Sequence, residues 1–205
     1  MKTIIFATGN PGKVREVKEI LTGFHVITMM EAGLSPEIIE DGASFEENAV
    51  IKARAVYDAI KAREAAGDPA FDFAYCMADD SGLEIDYFDK KPGIYSSRWL
   101  GEDTSYDIKN GIVLSEMEDV PDEKRTARYV CSIAALDAEG TSTVVTEACE
   151  GIIGHEPKGE GGFGYDPIFY IPGLGTFAEI SSAAKHEVSH RGKALRAILP
   201  LLKEI

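Results

Sequence analysis

Apolar and β-branched residues crowd the segment from Lys2 to Ala7 and stop at Thr8-Gly9-Asn10-Pro11-Gly12-Lys13, after which apolar positions recur at Val14, Val17 and Leu21. The first pattern is that of a strand and the second that of one helix face, so strand, loop and helix follow in order. Asn10 suits the helix N-cap and Pro11 the first helical position, because the Asn side chain accepts from free N–H groups and proline lacks one. A second strand is predicted near His25 to Met29. Ser44-Phe45-Glu46-Glu47 has the form of a capping box, with Ser44 and Glu47 each serving the other's backbone N–H, and it opens a long helix through Ala49, Ala53, Val56 and Ile60. Gly67-Asp68-Pro69 ends that helix.

Phe73 to Ala78 reads as a buried strand that terminates at Asp79-Asp80-Ser81-Gly82, and Leu83 to Asp86 alternates like an exposed strand after it. A helix from about Ser105 to Met117 precedes two β-rich runs, Thr126 to Leu136 and Ser142 to Ile153. Asp137-Ala138-Glu139-Gly140 between them has hairpin turn chemistry, so the middle of the sheet is expected to be antiparallel. A glycine-rich stretch from Gly159 to Gly164, a short strand from Pro167 to Ile171, and a last helix capped by Ser189 complete the pattern. That helix carries Ala194, Leu195, Ile198, Leu201 and Leu202 on its apolar face. There are no repeats, low-complexity tracts or interdomain linkers.

Composition narrows what such a chain can do. With 205 residues and 44% apolar content it can bury about two-thirds of its unfolded surface in one unit, divided into two lobes. Lys and Arg number 21 against 35 Asp and Glu, a formal charge of −14. Such a surface repels polyanions, which excludes broad nucleic-acid or anionic-membrane binding. A small phosphorylated ligand remains compatible if the few cations are gathered in a pocket with help from a divalent metal. Cys76, Cys131 and Cys149 are odd in number and widely spaced, as expected of buried reduced thiols. No signal pattern or run of about 20 apolar residues is present, so a soluble cytoplasmic protein is expected.

Four segments have residues suited to chemistry. In Thr8 to Lys13, Gly9 and Gly12 let backbone approach an anion, the helix start offers N–H groups and Lys13 adds a charge. The same residues also read as a turn and cap alone. Asp79 and Asp80 are adjacent acids that repel unless a cation or proton separates them, and magnesium takes such oxygens together with substrate phosphates and water. The alternative is a solvated turn. Glu40, Asp41, Glu46 and Glu47 add carboxylates near a helix start, and Lys52 lies one turn beyond Asn48 on the same face. Gly161 to Pro167 offers room for a flat base, aromatic rings at Phe163 and Tyr165, and an acceptor at Asp166 for ring N–H groups. Lys185 with Ser189-His190-Arg191-Gly192 places donors at the start of the last helix, where a carbonyl oxygen or phosphate could be met.

Ala7-Thr8-Gly9-Asn10 with Lys13, Phe45 to Ala49 with Lys52-Ala53, Ala78 to Leu83, Pro92 to Arg98, Gly161 to Pro167 and Ser189 to Gly192, in this order, resemble the inosine/xanthosine triphosphate pyrophosphatase family. The resemblance implies a single catalytic domain over residues 1–205, an elongated two-lobed α/β fold with a long mixed β-sheet flanked by helices, a central substrate cleft and a homodimer. It implies hydrolysis of non-standard purine nucleoside triphosphates to monophosphate and pyrophosphate. Thr8, Gly9, Asn10, Pro11, Gly12 and Lys13, helped by Lys52, would hold phosphates. Asp80 would act as base and, with Glu40, as ligand to Mg2+, with Ser81 next to it on the substrate. Phe163, Gly164, Tyr165, Asp166, Lys185, His190 and Arg191 would frame the base. Donors near His190 and Arg191 would pair with a 6-oxo group and leave the 6-amino group of adenine facing like against like. A non-catalytic nucleotide-binding protein is the rival of a different class, and acids beside a triphosphate argue against it unless they hold metal.

Overall fold

The opening apolar run folds as β1 (Thr3–Phe6) in a computed structural model that describes residues 1–202. Asn10 then caps α1 (Pro11–Ile20), its side chain accepting from the N–H groups of Gly12 and Lys13, and β2 (His25–Thr28) follows. α2 (Phe45–Ala65) starts at Ser44, whose side chain accepts from Glu47 N–H. The return bond differs from the expected box: the Glu47 carboxylate accepts from the N–H of Ala43, one residue earlier, at 2.7 Å.

β3 (Tyr75–Ile85) departs from the sequence pattern. It runs unbroken through Asp79-Asp80-Ser81-Gly82, so the acids sit within a strand and not at its end, and Leu83 and Ile85 are buried where an exposed strand was expected. The turn chemistry of Asp-Ser-Gly is overridden by pairing on both sides of it. Tyr75 to Met77 pair in parallel with Ile4 to Phe6, and Glu84 and Ile85 pair antiparallel with β4 (Lys91–Pro92).

α3 (Tyr106–Glu116), β5 (Thr126–Leu136) and β6 (Ser142–Ile153) match the sequence reading closely. β7 (Phe169–Ile171) starts later than expected, because Ile168 and Phe169 turn back onto the carbonyl of Tyr165. β8 (Gly175–Thr176) and α4 (Ser182–Val188) carried no signal strong enough to read. α5 (His190–Ile198) is capped as expected, Ser189 Oγ accepting from Gly192 N–H at 3.1 Å, but Leu201 beyond it is exposed. The sheet has eight strands in the order β2-β1-β3-β5-β6-β7-β8, with β4 on β3. It is mixed: β1 pairs in parallel with β2 and β3, whereas β7 pairs antiparallel with β6 and β8.

Two compact units emerge, and β3, β5 and β6 contribute residues to both. The first comprises Met1–Asp80, Cys131–Thr146 and the chain from Ala194 onward. Its strands β1, β3 and β5 are buried on both faces, with the period-two alternation of side chains. Ile4, Phe6, Tyr75 and Met77 pack with Val17 and Leu21 of α1 and with Ala194, Leu195 and Ile198 of α5. Ile5, Cys76 and Ala78 pack with Ala49, Ala53, Val56 and Ile60 of α2. The second unit, Ser81–Val130 with Glu147–Lys193, has its own core of Leu83, Ile85, Val113, Met117, Tyr129, Phe169 and Phe177. Buried there, Arg125 donates to the carbonyls of Met117, Val120, Ile153 and Gly154, so backbone oxygens satisfy its guanidinium donors. All three cysteines are buried thiols outside any disulfide, as expected. Among the described residues no helix is long and apolar enough to cross a membrane.

Candidate active site

Strand alternation decides what the acidic pair can do. Asp79 has the parity of Tyr75 and Met77, on the α1 side, and Asp80 that of Cys76 and Ala78, on the α2 side. Each therefore meets a lysine of a different helix. Lys13 of α1 lies 3.0 Å from Asp79 Oδ2, and Lys52 of α2 donates to Asp80 Oδ1 at 2.7 Å. Lys52 also donates to Glu40 Oε2 at 2.8 Å, so the two carboxylates that meet on one ammonium are Asp80 and Glu40. Asn48, one turn before Lys52, donates to Asp80 Oδ2 at 3.3 Å and accepts from Gly42 N–H at 2.9 Å.

Burial opposes the charge on Lys52, yet Asp80, Asp79 and Glu40 outweigh it and hold the ammonium above its ordinary value. Burial also pushes the Asp80 carboxyl up, with Lys52 and Lys13 opposing. Thr8 to Lys13 lie in the same unit. Thr8 Oγ1 accepts from Asn10 N–H at 3.2 Å, and the N–H groups of Gly12 and Lys13 are held by the Asn10 side chain. Pro11 opens the helix, and Gly9 is open enough that a Cβ there would meet nothing within 4 Å.

The remaining candidates belong to the second unit, which begins at Ser81, the residue after Asp80. Arg191 Nη2 donates to Ser81 Oγ at 2.9 Å. Lys185 Nζ lies 2.7 Å from Asp166 Oδ2 and 4.8 Å from the Phe163 ring centre, and the Arg191 guanidinium lies 5.8 Å from the same ring. Phe163 is half-buried and is thus the aromatic face around which the cationic donors collect. Two of the candidates are already engaged with other residues. Tyr165 is buried, its ring edge-on to Tyr106 and its hydroxyl donating to the Ser96 carbonyl at 3.0 Å, so it braces the loop and presents no open stacking face. The Asp166 carboxylate is equally engaged, accepting from Lys185, from Phe163 N–H at 2.8 Å and from the Tyr129 hydroxyl at 3.3 Å.

Gly164 keeps a left-handed φ of 72°, and its carbonyl accepts from the Asn110 side chain at 3.2 Å. His190 lies flat on the Tyr129 ring, with centroids 4.6 Å apart and planes 7° apart. Sequence reasoning missed Tyr106, Asn110 and Tyr129. They stand in an ordinary helix and strand, far along the chain from what they touch, and no local motif marks them.

Could the site hold a divalent metal? Among the described residues no three His, Cys, Asp or Glu side chains cluster as a ready-made metal cage. Asp80 and Glu40, already converging on a cation, fit a hard ion that completes its shell with substrate oxygens and water.

The family model described as the Ham1 family matches residues 4–201. A dITP/XTP pyrophosphatase of Bacillus subtilis is 44% identical over 207 residues, covering 99% of this chain and 98% of that protein. One from Desulforamulus reducens is 42% identical over 205 residues, covering 98% and 96%. Among solved structures, the Ham1 protein of Staphylococcus aureus superposes with a TM-score of 0.81 at 34% identity, covering 98% of both chains. A nucleoside-triphosphatase / dITP/XTP pyrophosphatase from Mycobacterium abscessus gives 0.71 at 38% identity, covering 97% of this chain and 99% of that one. With motifs, fold and near full-length relatives in agreement, this chain belongs to the Ham1 family.

Proposed function

We propose that the protein is a nucleoside triphosphate pyrophosphohydrolase that converts inosine, deoxyinosine and xanthosine triphosphates to monophosphate and pyrophosphate, clearing them from the cytoplasmic nucleotide pool. The observation that carries this reading is the Lys52 ammonium held between Asp80 and Glu40, in a unit that also holds Lys13 on Asp79. Such an arrangement has carboxylates for a hard cation and lysines for phosphate oxygens, already assembled, with three carboxylates on two ammonium groups. The relatives' shared description as dITP/XTP pyrophosphatases supports the substrate class.

Lys52 and Lys13 exchange their carboxylates for phosphate oxygens when the triphosphate arrives, and Thr8, Gly9, Asn10, Pro11 and Gly12 line the chain beside Lys13. Asp80, its carboxyl raised by burial, accepts the proton of the water that attacks the α-phosphorus. Asp80 and Glu40 would hold Mg2+, which would supply charge neutralisation at the phosphates. No covalent intermediate is required, and catalysis rests on positioning and electrostatics. In the second unit Phe163 gives the base a stacking face, and Lys185, His190 and Arg191 supply donors for a 6-oxo group, with Ser81 held by Arg191. A pocket of donors can discriminate against adenine by about 10⁴, since the amino group leaves buried polar groups unpaired. We further propose that the protein is a homodimer, which light scattering after size exclusion measures directly.

The test is pyrophosphate release across a panel of inosine, deoxyinosine, xanthosine, adenosine, guanosine and pyrimidine triphosphates, with and without Mg2+. The reading requires magnesium-dependent release with 6-oxo purines other than guanine far ahead. Equal turnover of adenosine triphosphate, or none of the panel turned over, would sink it.

A further inference from the structure

Tyr129 enters the second unit from β5 with no marking motif, yet it touches both halves of the base-facing group. Its ring lies 4.6 Å from the His190 imidazole at 7° between planes, and its hydroxyl donates to Asp166 Oδ1 at 3.3 Å. Asp166 in turn holds Lys185 Nζ at 2.7 Å and Phe163 N–H at 2.8 Å through its other oxygen. Phe163 and Lys185 thus take their places from one carboxylate, and that carboxylate shares a tyrosine with His190.

The tyrosine is itself buried between further rings. Phe169 meets it edge-on at 4.8 Å and Phe177 lies near-parallel to it at 5.6 Å, both within the same core cluster. Burial, with Asp166 adding to it, raises the Tyr129 phenol well above its ordinary value, so its hydroxyl stays a donor throughout the working pH range. A flat aromatic platform under an imidazole fixes the plane in which its N–H groups point, and donor direction is what separates a carbonyl oxygen from an amino group.

We propose that Tyr129 is a positioning residue for base selectivity: its ring sets the plane of His190, and its hydroxyl anchors the Asp166 carboxylate that places Lys185 and Phe163. This rests on the reading of His190, Lys185 and Phe163 as the base-facing group. The ring is the larger contributor, because the hydroxyl bond is longer than an ordinary O–H···O contact.

The experiment compares Tyr129→Phe, which keeps the platform, with Tyr129→Leu and the more volume-matched Tyr129→Met, which remove it. Unfolding curves identify which variants remain folded at the assay temperature. For these, kcat and KM are measured on inosine and adenosine triphosphates, and His190 imidazole proton shifts are recorded by NMR. In Tyr129→Met the ratio of kcat/KM values is expected to fall at least about tenfold, through KM for the inosine substrate and not through kcat. Its His190 resonances should lose the upfield displacement that a stacked ring imposes. Tyr129→Phe should restore the wild-type ratio to within about threefold. A folded Tyr129→Met or Tyr129→Leu with undiminished selectivity and unmoved His190 resonances overturns the proposal, as does a Tyr129→Phe variant that loses as much as they do. A wild type with no preference for the 6-oxo base overturns the functional reading, and the selectivity claim with it. The His190 shifts then still decide whether Tyr129 positions that ring.

Discussion

Asp80 is buried, bonded at both carboxylate oxygens, and placed against a lysine that also holds Glu40. Asp80→Asn preserves size but turns one of two accepting oxygens into an amide donor facing Lys52 or Asn48. Lys52 retains Glu40 and Asn48 retains Gly42 N–H, so the fold should persist with an unchanged circular dichroism spectrum. Turnover should fall by about 10³ or more, the scale of losing a positioned base and a metal ligand together. Near-normal turnover in a folded variant would take Asp80 out of that role. A second residue-scale effect lies outside the site. Burial raises the Cys76 thiol from 9.0 to about 12. A group whose folded pKa lies above its unfolded one lends stability that is complete below the unfolded value and lost as pH rises through the folded one. Cys76 should therefore withdraw on the order of 4 kcal/mol between about pH 9 and 12. Denaturant unfolding at a series of alkaline pH values should give a shallower decline for Cys76→Ala than for wild type. Parallel declines would assign the alkaline loss to other groups.

Two glycines separate a functional loop from a structural one. At Gly9, between β1 and α1, an added Cβ meets nothing within 4 Å, whereas at Gly192, in the first turn of α5, it would stand 1.9 Å from the His186 carbonyl oxygen. Gly192→Ala must displace backbone and should cost about 3 kcal/mol, read as a lowered denaturation midpoint. Gly9→Ala should leave stability within about 0.5 kcal/mol of wild type yet raise KM for the triphosphate about tenfold, if backbone there is to approach phosphate as proposed. An unchanged KM would remove the loop from phosphate binding. Elements whose ends are marked by local chemistry were legible in sequence: Asn10-Pro11, Ser44 and Ser189 each start the helix they were expected to start. β3 was not, because Ser81-Gly82 carries turn chemistry, and it is pairing with β1, β4 and β5 that carries the strand through it. Within the candidate site the motif residues could be read, but their bracing could not. Tyr129, Asn110 and Tyr106 act across long sequence separations that only tertiary structure closes.

At the scale of the whole molecule, the charge of −14 makes the placement of each cation informative. Among the described residues the buried basic ones are Lys52, Lys109, Arg125, Lys185 and Arg191, and the buried acids Glu16, Asp79, Asp80, Asp137 and Asp166 equal them in number. The excess acid therefore lies on residues that solvent reaches, as the expected repulsion of polyanions requires, while the interior is balanced. That balance was only half legible: composition said that cations must be gathered, but not that lysines would already sit on the acids a metal needs. Removing metal with EDTA should for this reason leave the wild-type melting temperature nearly unchanged, since Lys52 keeps Asp80 and Glu40 compensated. Lys52→Met breaks that compensation and leaves buried Asp80 without its ammonium, beside Glu40. The expected loss is about 3 kcal/mol at pH 7. The sign with pH follows from the charge left behind. Without Lys52 the folded state favours the protonated carboxyls over the ionised ones, so the variant should regain stability as pH falls toward 5, and millimolar Mg2+ should restore part of it at pH 7. Wild type, holding its own cation, should respond little to Mg2+ alone. Thermal unfolding of both proteins with EDTA or Mg2+, at two pH values, measures every part of this. A Lys52→Met variant as stable as wild type and indifferent to both acid and Mg2+ would show that the ammonium does not compensate these carboxylates, and that they are not poised for a metal.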